Sequence, residues 1–130
     1  MKISLLVLAP PHGAQAADSA WHYARAAIAL GHQLERVFFY DEAVTNGNVL
    51  AVMPQDETDR VARWAALAEE SGAELVLCIG SALKRGMLDS TEADRHERPA
   101  ASVHPAFVVS GLGQLVDAGI RSDRLLTFGN

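Results

Sequence analysis

Short apolar runs alternate with amphipathic stretches from one end of this chain to the other, and that alternation limits the folds open to it. Ile3-Ser4-Leu5-Leu6-Val7-Leu8 has strand length but no clean polar alternation, the pattern of a strand covered on both faces. Ala17, Ala20, Trp21, Ala24, Ala27 and Ile28 then recur at helical spacing, and Gly31 is a natural stop. Leu34 to Tyr40 reads as a second strand. A polar segment, Asp41 to Gln55, carries the turn signal Asn46-Gly47-Asn48. Asp56 is expected to cap a second helix, which places Val61, Trp64, Leu67 and Ala68 on one side and ends at Gly72.

Glu74 to Ile79 is the third apolar run, followed by a helical turn over Ser81 to Arg85. Asp89 to Glu92 reads as the start of a short helix, with Glu92 placed for a capping box. Phe107 to Val109 is a short strand, Ser110 is expected to cap a helix through Val116 to Ala118 closed by Gly119, and Arg124 to Phe128 is a terminal strand. The connections are too long for hairpins, so parallel βαβ units follow. Right-handed crossovers then predict an α/β fold: a single domain over residues 1–130, with a doubly wound, mainly parallel sheet of four to five strands and helices on both faces.

The N-terminus carries a decoy. Met1-Lys2, the run Ile3 to Ala9 and the Ala14-Gln15-Ala16 triplet mimic a secretory leader, but the apolar core is short and Pro10-Pro11 follows it, so it reads as a strand. No apolar run approaches the roughly 20 residues that span a bilayer. A formal charge of −5 leaves no basic surplus for phosphates, which argues against direct nucleic-acid binding.

One cysteine in 130 residues excludes an internal disulfide, a CxxC pair and a cysteine-based zinc site within one chain, and a free thiol suits a reducing cytoplasm. That cysteine, Cys78, ends the third apolar run, which in a parallel sheet places it at the carboxyl edge where α/β folds bind ligands. A lone cysteine in an apolar strand is more often a small buried hydrophobe than a nucleophile. Two features favour the nucleophile: Gly80, Ser81 and Ala82 leave room beside the sulfur, and the first turn of the next helix offers N–H groups that favour thiolate, with Lys84 and Arg85 nearby.

No other motif competes. His12 and His104 lie in loops that could approach Cys78, but no spacing pattern supports a Cys/His pair or a metal site, and His22, His32 and His96 fit solvated positions. Gly111-Leu112-Gly113 lacks the placement of a dinucleotide fingerprint and reads as a tight entrance to the last helix. Neither a cofactor nor a metal is expected.

Several segments together carry a resemblance: Ala16-Ala17-Asp18-Ser19-Ala20, Gly31-His32, Val37-Phe38-Phe39-Tyr40, Pro54-Gln55-Asp56, Cys78 to Gly86, Ser110 to Leu115 and Asp123-Arg124. On them the chain resembles, end to end, the DsrE/TusD sulfurtransferase family, with the TusD branch ahead of the DsrE branch. Gly80 stands where alanine is expected in that pattern. The resemblance implies that Cys78 accepts sulfane sulfur as a persulfide and passes it to a partner cysteine. It further implies a cytoplasmic hetero-oligomer with TusB-like and TusC-like subunits, a TusA-like donor and a TusE-like acceptor, serving 2-thiolation of the tRNA wobble uridine. The DsrE branch implies the equivalent place in dissimilatory sulfur oxidation. Two other readings stay open: a non-catalytic structural subunit with Cys78 merely buried, and a flavodoxin-like binder, which lacks a phosphate loop here.

Overall fold

The apolar run at the N-terminus becomes the strand β1 (Lys2–Val7), and the runs after it become β2 (Gln33–Phe39), β3 (Glu74–Cys78), β4 (Phe107–Ser110) and β5 (Arg124–Phe128). The helices between them are α1 (Ala16–Ala29), α2 (Arg60–Ser71), α3 (Ile79–Lys84), α4 (Ser90–Arg95) and α5 (Gly113–Arg121). The computed structural model describes residues 1–129. All five strands are parallel neighbours in one sheet of order β4-β3-β2-β1-β5.

That order dictates where the helices lie. From β1 to β4 the chain steps one way across the sheet, so right-handed crossovers put α1 to α4 on one face. The return from β4 to β5 reverses direction and puts α5 on the other. Side-chain alternation agrees. Leu5, Val7, Val37, Phe39, Leu75 and Leu77 pack with the alanines of α1 and with Trp64 and Leu67 of α2. Phe38, Val76 and Cys78 face the opposite way, with Leu6 and Leu115 against them.

The α5 face is thinly covered. Of α5 only Ala118 is fully buried. Arg36, 3% exposed on β2, donates to the Gln114 carbonyl at 2.8 Å, to Asp117 at 2.9 Å and to Glu74 at 3.1 Å. Burial works against its charge, but the hydrogen bonds to Asp117 and Glu74 outweigh it and raise its pKa above the ordinary arginine value. Just past the helix, the hydroxyls of Ser4 and Ser122 meet at 2.7 Å.

Several local expectations are corrected. Helix α2 begins at Arg60, and Asp59 rather than Asp56 caps it, accepting from the Ala62 N–H at 3.0 Å. Its end is as expected: Gly72 turns the chain at φ 77°, a conformation that suits glycine. Asp89 caps α4 by accepting from Glu92 N–H, but the buried Glu92 carboxylate faces Arg95 and His96 rather than closing a capping box. Ser110 does not cap α5; Leu112 holds the cap position, and the helix runs through Gly119 to Arg121. The polar segment after β2 hides a 3-10 helix, Asp41–Gly47, with Ala43, Val44, Asn46 and Gly47 buried. There the Asn46 side-chain amide donates to the carbonyls of Ala9 and Ala43, holding the first loop to the 3-10 helix.

Asp18 on α1 gives the fold a pH-sensitive contact. Arg63 of α2 donates to it at 2.6 Å and lies over the Trp21 ring, 4.2 Å from its centroid. This hydrogen bond holds the carboxyl below the ordinary aspartate value of 3.8. A lowered folded pKa contributes stability above the unfolded value, and that stability is lost as pH falls through the folded one. Asp18→Asn is therefore expected to lower stability at neutral pH by about 0.5–1.5 kcal/mol and to make the acid limb below about pH 4 shallower. Urea midpoints measured from neutral to acid pH check both effects.

Candidate active site

Strand β3 delivers the cysteine. Leu75, Val76 and Leu77 are buried, and the next residue, Cys78, ends the strand and takes the cap position of α3 with extended backbone (φ −61°, ψ 122°). Its register partner is Ser110, the last residue of β4. The chain leaves β3 toward one face of the sheet and leaves β4 toward the other, so a crevice opens between these two strands at their carboxyl ends. Open α/β sheets bind ligands at this switch point.

A cleft of about 340 Å³ occupies it, lined among others by Tyr40, Cys78, Gly80, Ser81, Lys84 and Leu112. Cys78 lies at its floor, 5% exposed, with its other side against the Phe38 and Val76 packing. Cys78 is therefore recessed yet lines a cavity. Nothing lies within 4 Å of where a Gly80 Cβ would stand, so alanine would fit there as well.

Of the two cations after the cysteine, Lys84 lines the cleft and Arg85 does not. Arg85 donates to Glu42 at 3.0 Å and to Asp41 at 2.5 Å. The hydrogen bond to Glu42 is the main reason its pKa rises above the ordinary arginine value. Ser81 is buried, and its Oγ accepts from the Asp41 N–H at 3.0 Å.

The histidines stay apart from the sulfur. Neither His12 nor His104 lines the cleft. His12 is exposed, and His104 Nδ1 accepts from the Ala106 N–H at 3.0 Å in the turn before β4. His22 pairs with Asp18, His96 with Glu92, and His32 meets the N-terminal ammonium. Among the described residues no group of three His, Cys, Asp or Glu side chains is placed to hold a metal ion. A second cleft of about 310 Å³, lined by Leu83, Gly86, Leu88, His96 and Arg98, contains no thiol.

Two walls of the cysteine cleft escaped the sequence reading. Tyr40 lies one residue past Phe39, the end of β2, whose register partner is Leu77, so Tyr40 and Cys78 both reach the cleft just beyond that pair. The period-two count from Phe38 is the signal that could have placed it. Leu112 gave none, because the return of β4 beside β3 is a tertiary fact.

The family model described as DsrE/DsrF-like matches residues 1–128. The chain belongs to the DsrE/DsrF-like family. It is 45% identical to DsrE of Allochromatium vinosum over 130 residues, covering 100% of both chains. It is 46% identical to the sulfurtransferase TusD of Serratia proteamaculans over 124 residues, covering 95% of this chain and 96% of that one. Among solved structures it is similar to the YchN protein of E. coli, at a TM-score of 0.65 and 21% identity, with 98% of this chain and 99% of that chain covered. The expected resemblance and the parallel α/β fold with helices on both faces are thus both observed. Among the described residues of this DsrE/DsrF-like chain, no helix is long and apolar enough to cross a membrane.

Proposed function

We propose that this chain is the sulfur-carrying subunit of a relay: a sulfurtransferase that holds sulfane sulfur as a persulfide on Cys78. The observation that carries the reading is the placement of the chain's one thiol at the floor of an open cleft at the switch point of the sheet. Loading is thiolate exchange. The Cys78 thiolate attacks the outer sulfur of a donor R–S–SH and a new S–S bond forms. The donor's own S–S bond breaks, and RS⁻ leaves with the electron pair and takes up the proton. Unloading reverses the roles: an acceptor thiolate attacks the outer sulfur, and Cys78 leaves as thiolate. Neither step needs an oxidant, a metal or a cofactor. With no second cysteine in the chain, the loaded sulfur has no internal thiol to discharge it as a disulfide.

The setting is the one the sequence resemblance implies, a cytoplasmic relay toward 2-thiolation of the tRNA wobble uridine between a TusA-like donor and a TusE-like acceptor; the relatives named sulfurtransferase TusD support the sulfur transfer itself. The second setting is the one the DsrE branch of the resemblance implies, a subunit in dissimilatory sulfur oxidation, and 45% identity to DsrE keeps that branch beside the first. The deciding experiment loads the protein from a cysteine desulfurase through a TusA-like protein and maps the product by mass spectrometry. A gain of one sulfur on the Cys78 peptide, reversed by a thiol reductant, supports the carrier. Sulfur elsewhere in the chain, or none, sinks it. Transfer onward to a TusE-like rather than a sulfur-oxidation acceptor separates the two settings.

The surface beside the cleft is where this reading docks the TusB-like and TusC-like sister subunits that the resemblance implies. Leu112 at the cap of α5 and Val116 and Ile120 on the helix form an exposed apolar row at four-residue spacing, and the row begins at Leu112, which lines the cleft. Val116→Asp with Ile120→Asp is expected to abolish co-purification with the sister subunits while changing the chain's own urea midpoint little, since both side chains already face solvent. Undiminished co-purification would remove α5 from the interface.

A further inference from the structure

Among the described residues Asp41 is one of two non-glycine residues with positive φ, at 56°, and it sits directly after a wall of the cleft. We propose that this joint positions the sulfur-transfer cleft: Asp41 and Arg85 are positioning residues, and Tyr40 is the specificity residue that touches the incoming sulfur donor. The inference rests on Cys78 being the carrier thiol.

Strand β2 ends at Phe39, beside Leu77, with Phe39 pointing into the core under α1 and α2. Alternation sends Tyr40 to the opposite face, where Cys78 lies. The left-handed turn at Asp41 then swings the backbone at once into the 3-10 helix instead of onward past the cleft. Helix α3, the one Cys78 caps, holds that turn. Ser81 Oγ accepts the Asp41 N–H, Arg85 reaches the Asp41 and Glu42 carboxylates, and a further Arg85 N–H donates to the Ser81 carbonyl at 3.1 Å. One short helix therefore fixes both the thiol and the wall beside it. Exposed ion pairs on their own add little stability, and a left-handed non-glycine residue works against it. Geometry is what this arrangement secures.

Attack on a persulfide needs the thiolate aligned with the S–S bond it breaks, and misplacement by about 1 Å can slow such a step by about 10²-fold. Asp41→Val, which resists left-handed φ, is therefore expected to slow loading from glutathione persulfide by about 10- to 100-fold. Asp41→Asn and Asp41→Gly, which accept that conformation, are expected to recover most of the rate. Tyr40→Ala, at an exposed position, is expected to raise KM for the persulfide by about tenfold and leave kcat within about twofold. Alkylation of Cys78 by iodoacetamide, which needs no such alignment, is expected to change far less in all four variants.

Loading rates that match the unsubstituted protein in Asp41→Val and Tyr40→Ala overturn the inference while the carrier reading stands. So does a fall in all three Asp41 variants that simply follows their melting temperatures. If Asp41→Val does not fold, the KM-against-kcat split in Tyr40→Ala decides, and an unchanged KM overturns the specificity role. An unsubstituted protein that takes no sulfur on Cys78 overturns the carrier reading and this inference together.

Discussion

Cys78→Ser is expected to reduce sulfur transfer to the level of a protein-free control, because a serine hydroxyl is not ionised at neutral pH and forms no persulfide. The substitution also carries a stability effect that must be separated from the chemical one. The side chain packs against Phe38 and Val76, and burying a hydroxyl without a partner costs about 1–3 kcal/mol. Cys78→Ala avoids that polar group and serves as the control. Both variants are expected to lose transfer completely, with the serine protein the less stable or at most equal. Transfer that survives in either one would assign the thiol to packing and leave the chain a structural subunit. Transfer rate and urea midpoint measured on the same samples give the answer.

The second large effect is expected at Arg36. Its side chain is 3% exposed, while its partners Glu74 and Asp117 keep about half of their side chains in water. Arg36→Ala removes the hydrogen bonds that fasten α5 to the sheet and leaves a gap beneath the helix. Removing one partner of a fully buried pair costs about 3–5 kcal/mol; with the two carboxylates still solvated, a loss of about 2–4 kcal/mol is expected. Arg36→Met keeps much of the volume without a charge to bury, and is expected to lose less, about 1–2 kcal/mol. Because the folded arginine pKa is raised, its contribution is present at all pH values below the unfolded one and fades only as pH rises through the folded value, far into the alkaline range. The stability difference between the unsubstituted protein and the Arg36→Met variant should therefore stay flat across neutral pH. A midpoint unchanged in Arg36→Ala would mean that apolar packing alone holds α5.

The elements that sequence made legible are those whose local pattern and final burial agree. The alanine-rich face of α1, the Val61-Trp64-Leu67 face of α2 and the glycine end of α2 are of this kind. Where tertiary structure overrules composition, the reading slipped. Asn46-Gly47 has the chemistry of an exposed turn, yet the sheet buries it, and a Cβ on Gly47 would come within 2.8 Å of Leu77 Cδ1. Both Asp56 and Asp59 can cap a helix, and only the fold selects Asp59. Arg36 carries no local signal of its role, which depends on where α5 returns. The candidate site was legible to the extent that it lies on one continuous segment, Cys78 to Lys84. Tyr40 follows β2 and Leu112 follows β4, and strand order is what brings them together.

The recess of Cys78 has a consequence for how such a carrier would be read by its partners. A disulfide-type bond places the second sulfur about 2 Å beyond the first. An empty Cys78, almost wholly covered, shows a visiting thiol nothing at the mouth of the cleft. Once loaded, the outer sulfur stands one bond length nearer the opening. In the proposed cycle the acceptor then needs no separate signal to tell a charged subunit from a spent one, because only the charged subunit has cargo within reach.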